Sequence, residues 1–515
     1  MKKEYLLAIL IALGVLLLNN SPLIWDRLTL NPAFTFLGRR AINSQDMYTY
    51  LSLIEQGKQG RLVFADLYNP VVQTTSLVRP AYLFIGKFAQ ITGLSTLASY
   101  QLFRLVFTLL FSLLLYQFIS LFFADARKRL ITFSVVLLSS GLGILTRQWS
   151  IDSTDLWIPE SLTFLALAEA PHFILSQALI VGGFGALLQA FSANRGKYLV
   201  YAGLFFLLLS FEHPYDLVVM LPILGVTYLV FRARLKPELF GLLLLSSLGV
   251  LYQIYLVKQG ALLSFYTQNV LASPAPVAFF SGFGLLLPLA LVGLEKSLAK
   301  EAPKFRLLVI WLVITAVFIY FPLPFQRRLI EGIHIPLAIL ASLGLFALLD
   351  KLPRKMFTGC SLFALMLLSI TNLYTLYQDY QVLSRETPQD YYYHLLKEET
   401  AAMNWLKENT GAQDVILANW FYGNLLPGLT GRAVYLGHKI QTPDFTKKID
   451  RLNQFLLSQD PSLDRDFLEE NRITYVFVGK NDAMLHYGFQ PEKKNSLTRV
   501  YAENGVEIYQ VKILH

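Results

Sequence analysis

Two short stretches carry most of the side chains that could do chemistry. FEHPYD, residues 211–216, groups Glu212, His213 and Asp216 around Pro214. Two carboxylates and one imidazole at this spacing could hold a metal ion or bind a sugar hydroxyl. A tight polar turn, with the proline ending one helix and starting the next, would use the same residues. FPLPFQRRLIEGIHIPL, residues 321–337, sets Arg327, Arg328, Glu331 and His334 between two apolar runs. PESLTF (159–164) and APHF (170–173) repeat the theme of acid, proline and histidine before an apolar run, so that Glu160 and His172 are candidates to line the same cavity. Further along, ANWFYGN (418–424) offers aromatic faces on which a ligand ring could stack. The stretch 431–442, which ends in YLGHKIQT, places Gly431, Gly437 and His438 around a short strand, a pattern that suits a loop reaching onto the membrane site. Ordinary strand-and-turn sequence accounts for these last two equally well.

The elements that must position these groups follow from composition. Of 515 residues, 54% are hydrophobic and only 15% charged, with a mean hydropathy of +0.47. A soluble chain carries about a quarter charged residues. The sequence therefore predicts an integral membrane protein. The net charge of +9 does not point to nucleic acid, because most Lys and Arg fall in short clusters between apolar runs. Cys360 has no partner for an intrachain disulfide, and the scarcity of cysteine argues against a structural zinc site.

Eleven apolar runs are expected to span, near 5–19, 98–123, 130–146, 172–192, 198–212, 215–231, 238–257, 275–294, 307–322, 335–350 and 356–376. The first follows Lys2 and Lys3 and lacks a cleavage site, so it reads as an uncleaved anchor with the N-terminus inside. Alternation then puts Lys/Arg clusters at 127–129, 194–197, 232–236, 296–306 and 351–355 on the inner side, as the positive-inside rule requires. Asp46, Glu55, Asp66, Glu160, His172, Glu212, His213, Asp216, Arg327, Arg328, Glu331 and His334 fall on the outer side. Topology does not account for outer arginines, and charges of both signs at helix ends on one face indicate a site at the outer membrane surface. The first outer loop, 20–97, is long; MYTYLSLIEQG (47–57) reads as amphipathic and 81–94 as an interfacial stretch. From residue 380 a small α/β domain is expected outside. It has a helix over 398–411 with Gly411 as C-cap, strands at 414–419 and 473–480, helices near 444–458 and 462–471, and a hairpin turning at Asn504-Gly505.

A short anchor, an early acid in INSQDMYTYLSLIEQG (42–57), many spans with polar outer ends and a terminal outer domain together resemble the GT-C superfamily of membrane glycosyltransferases. PESLTF with APHFILSQAL, QRRLIEGIHIPLAIL (326–340) and the stretch 429–438 look like pieces of bacterial members. The resemblance implies a mostly α fold, residues 1–379 forming the transmembrane domain and 380–515 the extracytoplasmic α/β domain. It also implies a polyprenyl-phosphate sugar donor, a glycan, lipid or protein acceptor, and an inverting transfer on the outer face of the cytoplasmic membrane.

In that family a first-loop carboxylate is the general base, and the matching position is Asp46. Capping of the following helix would also explain Asp46. Arg327 and Arg328, whose forks match phosphate oxygens, would hold the lipid phosphate, or else anchor the chain to anionic headgroups. His334, His172, Glu160, Glu212, His213 and His438 are the other expected substrate-binding residues. Family members with paired first-loop acids bind a divalent metal. Here Asp46 has no adjacent carboxylate, although Asp66 could substitute, and the metal stays open. A transporter or flippase, a surface-polysaccharide ligase or polymerase, and a non-catalytic scaffold are the rival functions.

Overall fold

The computed structural model describes residues 2–71, 74–193, 196–230, 237–259, 270–299, 303–384 and 392–512. The basic cluster at 232–236 and parts of those at 194–197 and 296–306 lie outside them. The chain is mostly helical and forms two compact units. One comprises residues 1–22, 101–255 and 270–381; the other comprises 23–100, 256–269 and 382–515.

In the first unit each expected apolar run holds a helix. Among the described residues, five stretches are long and apolar enough to cross a membrane: Lys3–Thr29, Thr96–Ser120, Ala126–Trp149, Pro171–Phe191 and Gln326–Leu349. Two helix pairs qualify only together, Pro276–Phe283 with Leu286–Ser297 bent by 80° and Arg354–Leu368 with Ile370–Leu383 bent by 48°. Leu17, Leu110, Leu204, Leu208, Leu251 and Phe363 all stand exposed on this unit. In water such a surface would drive association; facing lipid it costs nothing.

The anchor is longer than expected. Helix α1 (Lys2–Thr29) continues through Pro22. Proline removes the N–H that would bond the carbonyl of Leu18. The Ser21 hydroxyl donates to that carbonyl at 2.8 Å, and the Asn20 amide donates to the carbonyl of Leu16 at 2.8 Å, so the turn stays satisfied.

The second unit is built from the first loop and the C-terminal segment together. Strand β1 (Phe34–Phe36) pairs antiparallel with β2 (His394–Leu396), in the register Phe34 opposite Leu396. His394 Nε2 lies 2.8 Å from Asp26 Oδ1 near the end of α1. Helix α2 (Asp46–Lys58) is not amphipathic: Met47 through Gly57 are all buried. It packs on α3 (Pro80–Thr92) on one side, where Gly57 and Gly86 touch; a Cβ on Gly86 would stand 2.6 Å from the carbonyl oxygen of Ile54. On another side it meets the helix Trp420–Thr430, whose Gly428 lies against Tyr48 and Leu51. Helix α3 buries Ala81, Tyr82, Ile85 and Ala89 and exposes Phe84 and Ile91.

Five strands form the main sheet in the order β4-β3-β5-β7-β6. Strand β3 (Val415–Leu417) runs parallel to β4 (Ala433–Val434) and to β5 (Tyr475–Val478). Strands β6 (Leu497–Glu503) and β7 (Val506–Val511) are the expected hairpin, with Asn504 and Gly505 both at positive φ. Helices Phe445–Leu457 and Pro461–Glu470 close the core with Leu452, Phe455 and Phe467 against Val476 and Tyr509. The helix Lys397–Asn409 ends differently from expectation. Thr410 is extended and Gly411 is not left-handed; the Gly411 amide instead donates to Asp414 Oδ2 at 2.6 Å, forming the turn into β3.

Candidate functional site

Asp46 is the first residue of α2, not its cap. The capping position is Gln45, which makes no side-chain cap. The Asp46 carboxylate instead meets His438, whose Nε2 lies 2.8 Å from Oδ1. His438 sits just beyond β4 in the loop 437–442 and is 3% exposed, whereas the Asp46 side chain is 39% exposed. The loop is held from within: the Gly437 amide donates to Thr442 Oγ1 at 3.1 Å and the Thr442 amide to the His438 carbonyl at 2.9 Å. Tyr68 stands edge-on to the imidazole, ring centroids 6.2 Å apart, and its hydroxyl donates to the Asn424 carbonyl at 2.9 Å.

A buried cation underlies this region. Arg39, 1% exposed, lies over the rings of Tyr48, Tyr392 and Phe421 at 5.0, 4.7 and 5.6 Å. Its guanidinium donates to the Tyr392 carbonyl at 2.7 Å and to Asn424 Oδ1 at 2.5 Å. Asn424 in turn donates to the Gln45 carbonyl at 3.2 Å, and Ser44 Oγ donates to the Tyr392 hydroxyl at 2.9 Å. The two residues before Asp46 are thus tied to this cluster. Trp420 is 40% exposed beside Tyr392, with ring centroids 6.2 Å apart.

Asp66 turns its Oδ1 to its own loop, accepting from the Tyr68 amide at 3.0 Å. Burial pushes its carboxyl up to about 7, a shift that the Tyr68 amide and the nearby Lys448 partly offset. Burial likewise brings the Lys448 ammonium down to about 8.

In the helical unit, Arg327 and Arg328 stand on a short 3-10 turn, Gln326–Ile330. Their guanidinium groups each lie over an aromatic ring at 4.8 Å, Arg327 over Trp157 and Arg328 over Tyr215. Tyr215 leads to a buried polar cluster, its ring 5.8 Å from that of His213. His213 Nδ1 lies 2.7 Å from Asp216 Oδ1, and the His172 ring is 5.8 Å from that of His213. Gln177 Nε2 donates to Glu331 Oε1 at 2.8 Å. Glu160, Asp216 and Glu331 are close enough to feel one another's charge. One oxygen of each of these three carboxylates has no hydrogen-bond donor among the described residues. Glu212 is also buried.

The expected site residues therefore divide. Asp46 and His438 belong to the second unit and touch. Glu160, His172, His213 and Arg328 gather around FEHPYD in the first unit, whereas Arg327 lies over Trp157. His334 does not join them: its Nε2 is 3.0 Å from Ser139 Oγ and its Nδ1 3.0 Å from Thr163 Oγ1, so both ring nitrogens are engaged with hydroxyls in the core. Asp216 takes part as a member of the FEHPYD cluster already read in the sequence. Gln177 and Glu331 carry no role assigned there, Gln177 being detectable as a lone amide within an apolar helix and Glu331 as a charge beside a span. Arg39 has no local signal, because its hydrogen-bond partners lie hundreds of residues away.

Among the described residues no three or more His, Cys, Asp or Glu side chains gather closely enough to hold a metal ion. Asp46 and His438 are a directly hydrogen-bonded pair, and Asp66 is turned to its own loop.

The chain thus has a mostly helical unit that carries the apolar spans and an α/β unit that incorporates the long first loop. No family model and no curated protein matches the sequence. Among solved structures, the chain is similar to the Archaeoglobus fulgidus oligosaccharyltransferase AglB in complex with an inhibitory peptide and a dolichol-phosphate. The TM-score is 0.52 at 16% identity, over 98% of this chain and 74% of that one. The same enzyme tethered to an acceptor peptide containing the NVT sequon gives 0.53 at 15% identity, over 97% and 74%. Its complex with Zn and sulfate gives 0.50 at 15% identity, over 97% and 73%. At this identity the likeness establishes the fold.

Proposed function

We propose that the chain is a membrane glycosyltransferase that moves a sugar from a polyprenyl-phosphate carrier to an acceptor hydroxyl on the extracytoplasmic face. Asp46 is the general base. The acceptor oxygen attacks the anomeric carbon as its proton passes to Asp46, the bond from that carbon to the phosphate oxygen breaks, and the lipid phosphate leaves with the electron pair. Attack opposite the leaving group inverts the anomeric centre. Arg327 and Arg328 are the cations proposed for the lipid phosphate. Glu160, His172, Glu212 and His213 are proposed to contact the sugar, and Trp420 with its aromatic neighbours to stack on a ring. The solved neighbours, which hold dolichol-phosphate in one case and acceptor peptide in another, support the choice of substrate class.

The observation that carries this reading is a partly exposed carboxylate, Asp46, braced by a buried histidine within a chain of GT-C fold. The test is transfer from polyprenyl-phosphate-linked sugars by purified protein. Asp46→Asn is expected to lose about 10²–10⁴-fold in kcat, the usual worth of a positioned base, while its melting temperature stays within a few degrees of wild type. Full activity in a folded Asp46→Asn protein removes Asp46 from the role.

One observation favours a second reading, transport of a lipid-linked or polar substrate: the acid–histidine cluster is buried inside the helical unit, a placement that ion-coupled transporters also use. In that case Asp216→Asn abolishes substrate movement across proteoliposomes while Asp46→Asn leaves it intact.

A further inference from the structure

We propose that His438 is the positioning residue of Asp46, locked in the Nε2–H tautomer so that its ring can only donate to the carboxylate. This rests on the reading of Asp46 as base. The lock is backbone geometry. The amides of Ile440 and Gln441 both donate to His438 Nδ1, each at 3.2 Å. A ring nitrogen accepts only when it carries no proton, so in the neutral ring the hydrogen resides on Nε2. Nε2 is the atom 2.8 Å from Asp46 Oδ1. A proton on Nδ1 would turn an accepting nitrogen into a donor facing two amide donors, so the Nε2–H ring is the form that satisfies all three contacts. Among the described residues, the titratable groups facing the ring are the Asp46 carboxyl from α2 and the Tyr68 phenol from the 66–69 loop.

The imidazole engages Oδ1 and so fixes the carboxylate plane. A hydrogen bond donated to a carboxylate favours its ionised form, so a variant without the donor is expected to use Asp46 as a base only at higher pH. His438 thus acts through Asp46 and does not itself touch substrate.

The test uses the full chain in nanodiscs, labelled with ¹⁵N-histidine, as wild type, His438→Gln, His438→Phe and Asp46→Asn. The resonance that disappears in His438→Gln is expected to be a neutral Nε2–H ring, and it keeps that tautomer in Asp46→Asn because the amides set it. In turnover of polyprenyl-phosphate-linked sugars, His438→Phe is expected to lower kcat more than it raises KM. It should also move the acid limb of the pH profile up by about one unit, a tenfold change in proton affinity. His438→Gln, which keeps a side-chain N–H, restores the limb. A ring protonated on Nδ1, or a folded His438→Phe protein whose acid limb coincides with wild type, overturns the proposal. The two readings fail separately. A fully active Asp46→Asn protein removes the base and with it any positioning role. An inactive Asp46→Asn beside an unshifted His438→Phe profile removes the positioning role alone.

Discussion

At the scale of single residues, the second unit holds two buried ionisable groups whose states oppose each other. Asp66 has its carboxyl raised to about 7 by burial, and Lys448 has its ammonium lowered to about 8. A carboxyl whose folded value is raised binds its proton more tightly in the folded state than in the unfolded one. Its contribution is complete below the unfolded value near 4 and is lost as pH climbs to about 7. A shift of this size corresponds to something on the order of 4 kcal/mol. Lys448 works in the reverse sense: its contribution is present above about 10.5 and is lost as pH falls to about 8. Thermal melting between about pH 5 and pH 8 is therefore expected to show wild type losing stability as pH rises, and Asp66→Asn showing a much flatter curve. Equal slopes would mean that Asp66 is not the group responsible. The single-residue signals readable in sequence are those whose chemistry is local, such as Asp46 before an apolar helix. His438 is legible only as a histidine close to glycines; that it faces Asp46 depends on a contact 392 residues away.

At the scale of elements, α2 is fixed by close approach. Gly57 and Gly86 let α2 and α3 meet without side chains between them, and a Cβ on Gly86 would meet backbone, which cannot swing aside. Gly86→Val is expected to cost about 1–3 kcal/mol or more and to loosen α2, the helix that carries Asp46. The melting temperature and the transfer rate should fall together. Gly14→Val in α1, where nothing lies within 4 Å of an added Cβ, is the matched control and should change neither. Most elements are legible in sequence because their causes are local: apolar length for the spans, short β-branched and aromatic runs for β3 and β5, alternation about Asn504-Gly505 for the hairpin. Those that differ from expectation turn on partners. The end of α1 lies past Pro22 because Ser21 and Asn20 supply the missing satisfaction. The sequence of α2 reads as amphipathic, yet its buried Glu55 and Gln56 find partners from outside the helix, Glu55 with Lys407 at 2.6 Å and Gln56 with the Ala65 carbonyl at 3.1 Å.

At the scale of the whole molecule, residues 23–100 and 382–515 complete one unit from both ends of the chain. Within the first loop α2 is covered by α3; its other cover, the helix Trp420–Thr430, and the partner of β1, strand β2, both come from the C-terminal segment. A chain ended at residue 381 is therefore expected to expose α2 and become cleavable between residues 37 and 60 under limited proteolysis, where the full chain resists. Protection in the shortened chain would show that the first loop folds alone. What the sequence determined by itself was the membrane character, the helical runs and the residue types gathered near them, because transfer of apolar side chains and local backbone preference depend on neighbours along the chain. Only the tertiary structure decided that Asp46 leans on His438, that Arg39 is caged by aromatic rings and that His334 is bound by hydroxyls in the core. Each of these is a contact between residues far apart in sequence, and no local pattern records which distant side chain will fill a hydrogen bond that burial makes obligatory.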